Sequence, residues 1–390
     1  MRVRRCAVLW LEPREVAEFH LEDLLAGGSG VQSRMQWFAH APHLPAPIDI
    51  DAEAVAVLGG TSPSDWTDAK PLREHHGAAC VRQLLQAGLL IGSTKPWAAQ
   101  RESDDRFRHL HWHGLAGVWH MASRWRGVDC EQGMIEAGLD TAEGLREKHG
   151  VPPPAITERS NERDRTGLPA AAHDELDALL DARTTCRNFD LQASLPQATM
   201  ARVLARTFGA RGRMHAADDF DVIKRTSPSG GALHPTECYL IIRRVEGLAA
   251  GLYHYHVGAH ALEPLPLPDG LELAGFAKSA VAGQQWFAEA PVLCVLAPRY
   301  GRNFWKYRDH PKAYRVCILD VGHLSQTLQL CATHEGLGSF VTAAINEIDI
   351  EQAFGLQGAI DGPLAVCGFG ARAQAMMSYE LDPNGKAWPR

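Results

Sequence analysis

The sequence has 390 residues, of which 45% are hydrophobic and 22% charged, and this excludes a disordered chain, a collagen and a coiled coil. Its length suggests two or three domains that together bury roughly three quarters of the unfolded surface, so no disulfide or metal staple is needed. Acidic residues outnumber basic ones 46 to 39, a net charge of −7, whereas a general binder of nucleic acid or anionic membrane is basic.

The nine cysteines are an odd number with no CxxC pair, which reads as free thiols in a reducing, cytoplasmic setting. The N-terminal apolar run stops at Glu12, too short for a signal core. No run approaches the ~20 apolar residues of a membrane span. Val16, Phe19, Leu21, Leu24 and Leu25 recur at helical spacing and end at Gly27–Gly28, which predicts a helix with a glycine stop. Further helices are expected over Ala52–Leu58, after a Ser64 or Asp65 cap, and over Cys80–Ala87, followed by a strand over Leu89–Ile91. Helices, then a strand, then a turn is the order of a winged helix, so residues 1–130 are expected to be a mainly helical, winged-helix-like domain.

His109, His111 and His113 alternate in a segment that also holds Trp112, Trp119, His120 and Trp125. A metal site needs further ligands of fixed geometry. No metal is expected, and the segment reads as aromatic packing. Residues 150–172 combine a proline triplet with mixed charge and little periodicity, within a linker taken as 131–172. Residues 173–390 then alternate helices and strands as an α+β domain. Helices are expected over His173–Ala182, Gly270–Ala282 and Val316–Glu335. Strands are expected over Cys238–Ile242, Gly251–His256, Pro291–Ala297, Phe340–Ala344 and Leu364–Gly368.

Three segments carry chemistry. Arg183 and Arg187 bracket Thr185, and two guanidinium forks with a hydroxyl suit a phosphate ester. Ser227–Pro235 sets paired glycines between two prolines, so its backbone can approach a flat ligand closely. Lys306 and Tyr307 offer two groups able to move protons where burial or charge tunes them. Cys186 reads as a small packing residue, His323 as a core or capping histidine, and Asp320 as an ion-pair partner of Arg315.

In chain order, RTTCRNF, SPSGGALHPTECYLII, GLAAGLYHYHVGAHALEPL, FWKYRDHPKAYRVCILDVGHLSQTLQL and GLGSFVTAAIN occupy about 175–372. Together they resemble the SagB-type dehydrogenases of the nitroreductase superfamily, FMN enzymes that oxidise azolines in ribosomally made peptides. The resemblance implies a nitroreductase-like fold, FMN, a precursor-peptide substrate, a partner cyclodehydratase and a homodimer with flavin at its interface, with residues 1–130 similar to the winged-helix elements that bind leader peptides in such pathways. It places Arg183, Thr185 and Arg187 on the FMN phosphate and ribityl–pyrimidine side. Pro228, Ser229, Gly230 and Gly231 would lie along the flavin ring. Gln284 and Gln285 match positions that often meet the ring of the second subunit. Val341, Thr342 and Ala343 would run under the flavin face, and Gly370 with Arg372 would reach the phosphate. Lys306 and Tyr307 match the catalytic pair, and His234 would line the substrate cavity.

No GxGxxG follows a strand and no GxxxxGK[ST] occurs, so neither a Rossmann site nor an ATP-using cyclodehydratase is visible. Two other readings stay open. One is an NAD(P)H-dependent reductase of nitro compounds or quinones. The other is a non-catalytic winged-helix scaffold that binds DNA or peptide. Residues 1–100 carry 9 Lys+Arg and 11 Asp+Glu, which disfavours DNA.

Overall fold

A computed structural model describes residues 1–388, which form two compact units. The first comprises Met1–Arg124, Arg299–Cys317 and Gln357–Asp361; the second comprises Trp125–Pro298, Ile318–Leu356 and Gly362–Arg390. The division differs from three consecutive segments, because two stretches from the second half of the chain belong with the N-terminal residues.

In the first unit, strand Arg2–Arg5 lies between Thr67–Asp68 and Leu90–Gly92, antiparallel to both. Helices Ala52–Gly60, Ala69–His76 and Ala78–Gln86 supply Val57, Leu58, Ala69, Val81, Leu84 and Leu85 to one core with Val3 and Ile91. Asp51 caps the first of these helices by accepting from Ala54 N at 2.8 Å. Asp68, rather than Ser64 or Asp65, caps the second by accepting from Lys70 N at 3.0 Å. Satisfying a free N–H in the first turn is typically worth about 1 kcal/mol.

The helix expected over Val16–Leu25 forms only in its second half, and its first four residues are strand. Trp10–Phe19 pairs antiparallel with Val31–His40 through ten residue pairs, and only Leu21–Leu25 is helical. An isolated helix of that length is marginal in water, whereas the hairpin satisfies both backbones. Strand Ile48–Ile50 extends the sheet but meets only Trp37–Ala39. The region is therefore a mix of helix and sheet rather than mainly helical.

Trp112 and His120 of the histidine-rich segment form a buried aromatic cluster within the first unit, while His109, Trp119 and Trp125 are exposed. Trp112 stands 4.7 Å from the rings of both Tyr300 and Phe304, and its Nε1 donates to Ala359 O at 2.9 Å. His120 meets Tyr314 OH at 3.0 Å and Gly358 O at 2.9 Å. Burial pushes the His120 pKa down to about 4, against the opposing bond to Gly358. An unfolded histidine titrates near 6.5, so between those values the unfolded chain binds a proton that the folded chain refuses. Stability is then complete above about pH 6.5 and falls by on the order of 3 kcal/mol as the pH approaches 4. Urea midpoints at pH 7 and pH 4.5 check this, and His120→Gln should flatten the difference between them.

The second unit is built on a six-stranded antiparallel sheet. Its order is Ala261–Leu265, Gly251–His256, Thr236–Ile242, Val292–Pro298, Ala365–Gly370 and Gly338–Thr342. Alternate residues of the central strands feed two cores. Leu240, Ile242 and Cys294 pack with Val203, Leu204, Leu324 and Leu328. Ile241, Leu293 and Val295 pack with Phe276, Phe287, Phe340 and Ile350. Within the expected linker, Cys130–Glu136 and Ala142–His149 are helical, while residues 150–172 are exposed throughout.

Candidate functional site

Helix Glu175–Ala182 starts with an Asp174–Asp177 capping box and stops at Arg183, whose backbone is extended. Leaving the helix lets the next residues pair with the sheet. Thr185 bridges Ser339 in parallel, and Cys186 N donates to Ser339 O at 2.8 Å. The approach is close because position 338 is glycine: a Cβ there would lie 2.4 Å from Cys186 Sγ. Cys186 is fully buried and its thiol is pushed up to about 12 by burial, which suits packing rather than redox chemistry.

The turn then runs antiparallel to the end of strand Ala365–Gly370. Phe189 bridges Arg372, and Asp190 N donates to Ala371 O at 2.9 Å. Arg372 is thereby brought to the arginine turn, where it donates to Thr184 O at 3.2 Å. Arg183 donates to Gln329 Oε1 at 3.3 Å. The Arg187 guanidinium lies 5.8 Å from the Phe287 ring centre. A residue that motif reading missed completes the group. Glu380, 2% exposed, pairs with Arg372 and accepts from the backbone N of Arg187 at 2.5 Å and of Asn188 at 3.0 Å. Burial opposes its ionisation, yet these donors and Trp388 hold its carboxyl below the usual range. It stands in no recognisable motif.

The donor set fits a phosphate ester. Three guanidiniums and one carboxylate leave two positive charges, against the roughly −1.5 to −2 of a phosphate monoester. Ser339 Oγ, 1% exposed and opposite Thr185, has no hydrogen-bond partner, so a donor is available beside the turn.

The Ser227–Pro235 loop rests on helix Ala313–His334, which belongs to the second unit from Ile318 onward. Ser227 Oγ meets Thr327 Oγ1 at 2.7 Å. Ser229 Oγ donates to Asp320 Oδ2 at 2.5 Å, and Gly230 N to Asp320 Oδ1 at 3.2 Å. Asp320 is thus the loop's anchor, not an Arg315 partner. Burial raises its pKa, while Ser229, Gly230, His323 and Arg225 pull it down. Gly231, Ala232 and His234 have φ of 64°, 56° and 46°. His234 lines a small cleft with Arg225, Pro228, Ser229, Thr236 and Asp320.

Gln284 is buried and joins two of the expected segments. Its Nε2 donates to Thr342 Oγ1 at 3.1 Å and Ala344 O at 3.0 Å. Gln285 is exposed. Val341, on the sheet's edge strand, and Ala343, just past its end, are exposed, whereas Thr342 is buried. Gly370 is demanded by packing, since a Cβ there would lie 2.2 Å from Pro291 Cδ.

Lys306 and Tyr307 belong to the first unit. Both backbone N–H groups donate to Asn303 O, at 3.3 and 3.1 Å, and Lys306 Nζ stands 5.4 Å from the Tyr307 ring centre. The same unit holds a cleft of about 730 Å³ lined by Met35, Trp37, Ile50, Ala54, Cys80 and Leu84 among others. It adjoins the part of strand Val31–His40 that has no partner strand on that side among the described residues.

Residues 180–371 match the Nitroreductase family. MJ1384 of Methanocaldococcus jannaschii, assigned as a nitroreductase, is 33% identical over 109 residues, covering 28% of this chain and 52% of its own. The trifolitoxin-processing protein TfxB of Rhizobium leguminosarum bv. trifolii is 28% identical over 121 residues, covering 31% of this chain and 32% of its own. The chain therefore spans about half the length of the first relative and about a third of the second. Among solved structures, the E. coli microcin synthetase McbBCD complex with truncated pro-MccB17 bound has a TM-score of 0.49 and 20% identity, over 69% of this chain and 97% of that one.

Proposed function

The domain over residues 180–371 belongs to the nitroreductase family, and from that premise we propose that the chain is an FMN-dependent dehydrogenase that oxidises a ribosomally made peptide. The observation that carries the reading is the convergence of Arg183, Thr185, Arg187 and Arg372 on one turn. These residues hold the cofactor phosphate, and the Ser227–Pro235 loop, Gln284 and the Val341–Ala343 edge line its ring. Bound FMN supplies the acceptor for a hydride. Lys306 and Tyr307 manage the proton: one takes it from the substrate carbon and the other tunes the first by charge or hydrogen bonding. The substrate loses one proton and one hydride, so an azoline becomes an azole, or a Cα–Cβ single bond becomes double.

A peptide substrate is favoured by the likeness to a trifolitoxin-processing protein and by the first unit. An extended peptide can add to the unpaired edge beside its cleft and drop side chains into it. A cyclodehydratase would supply azoline substrates. The long helix leaves Ile318 and Leu319 exposed at 42% and 60%, which suits burial against a second copy in a homodimer. None of the described helices is long and apolar enough to cross a membrane.

The test starts with the visible spectrum of the purified protein and identification of the released flavin. Incubation with the precursor peptide should then remove two hydrogens, read by mass spectrometry. Colourless protein that takes up no FMN overturns the reading. Rapid bleaching by NADH with no peptide oxidation would favour the small-molecule reductase instead.

A further inference from the structure

The C-terminal segment is stitched to the arginine turn by a set of polar contacts. Asn188 Oδ1 accepts from Met377 N and Ser378 N, both at 2.7 Å, and its Nδ2 donates to Ser378 O at 2.7 Å. Thr184 Oγ1 donates to Leu381 O at 2.9 Å. Glu380 takes the Asn188 amide at 2.8 Å and Trp388 Nε1 at 2.8 Å, besides the two backbone N–H groups and Arg372. The side chains between them point outward. Met377, Tyr379 and Leu381 are 89%, 75% and 68% exposed, so apolar burial contributes little to holding this strap. Its attachment depends on the Glu380 carboxylate, the Asn188 amide and the Thr184 hydroxyl, and the carboxylate also grips the Arg187 backbone and Arg372.

We propose that Glu380 is a positioning residue for the phosphate pocket, through which the C-terminal strap and cofactor retention stabilise each other. The proposal rests on the FMN reading above. A carboxylate that accepts from Arg187 N and Asn188 N fixes the backbone of the turn. Its ion pair with Arg372 fixes the direction of a second guanidinium. Bound phosphate would order the same arginines from the other side, so each event favours the other.

This role and a simple charge effect predict opposite signs. Glu380→Gln removes a negative charge beside two arginines. If Glu380 only competed with phosphate, FMN would bind more tightly. If it positions the turn, FMN binds more weakly, because an amide cannot accept from five donors and turns N–H groups toward Arg372 and Trp388. The flavin-free full chain is titrated with FMN and with riboflavin, which lacks the phosphate, by flavin fluorescence. The expected result is an FMN Kd raised about tenfold or more in Glu380→Gln, partial recovery in Glu380→Asp, and an unchanged riboflavin Kd. An unchanged or tighter FMN Kd overturns the proposal, as does equal weakening of riboflavin. In the unmutated chain, FMN but not riboflavin should slow chymotryptic cleavage after Tyr379, and equal rates overturn the coupling even if the variants fail to fold. An unmutated chain that binds neither flavin overturns the FMN reading itself, and that failure is separable because it involves no variant.

Discussion

Tyr307→Phe and Lys306→Met should each lower the rate of peptide oxidation by roughly 10²–10⁴-fold, the usual contribution of a positioned proton-transfer group. FMN content and the urea midpoint should stay as they are. The backbone of the pair is fixed from below. Asn303 is fully buried, and its Nδ2 donates to Ala313 O at 2.8 Å while its carbonyl receives Lys306 N and Tyr307 N. The two side chains lie above this support, Lys306 exposed and Tyr307 half-buried. Truncating them removes little packing, and surface changes of this kind fall within about 0.5 kcal/mol. A loss of turnover would therefore be chemical. Conservative variants then separate the roles. If Tyr307 is the base and Lys306 acts by its charge, Lys306→Arg should keep most of the turnover that Lys306→Met loses. Variants that keep FMN and full turnover would remove the pair from the mechanism.

Elements with strong local signals were legible from the residues alone. Strand Gly251–His256 lies where the sequence reading places it, and helix Ala313–His334 matches the helix expected over Val316–Glu335 to within three residues. The N-terminal hairpin was not legible. Val16 and Phe19 fit a helical period that continues into the helix Leu21–Leu25, and only their pairing with Val31–His40 decides against it. Such pairing is a long-range fact that periodicity does not encode. The site divides in the same way. Arg183, Thr185 and Arg187 are adjacent in sequence and read as one group. Glu380 and Ser339 join them only through folding. Asp320 was visible as a helix residue, but its hydrogen bonds to Ser229 and Gly230 follow from a loop conformation that no spacing rule gives. The grouping of Arg299–Cys317 with the N-terminal residues was hidden for a related reason. Trp112 and His120 recruit Tyr300, Phe304 and Tyr314 across nearly two hundred positions.

Asp320→Ala should lower folding stability by about 3–5 kcal/mol, the range found when one partner of a buried charged group is removed. Two charge-assisted hydrogen bonds vanish with the carboxylate. Arg225, 1% exposed and within electrostatic reach of it, loses that negative charge. The loop also stores strain that Asp320 helps to hold. Ala232 and His234 both sit at left-handed φ, at about 1–2 kcal/mol each for a residue with a Cβ. Once Ser229 and Gly230 lose their acceptor, relaxation toward ordinary backbone angles is opposed by fewer bonds, and the loop should become the first region to exchange amide hydrogen. Asp320→Asn keeps one oxygen and should lose only about 1–2 kcal/mol. Ala232→Gly removes the left-handed penalty and should gain up to about 1 kcal/mol. Urea denaturation of the four proteins orders them as Ala232→Gly, unmutated, Asp320→Asn and Asp320→Ala. An Asp320→Ala midpoint equal to that of the unmutated chain would show that the loop is held by Ser227 and Thr327 instead, and that the carboxylate is dispensable to its shape.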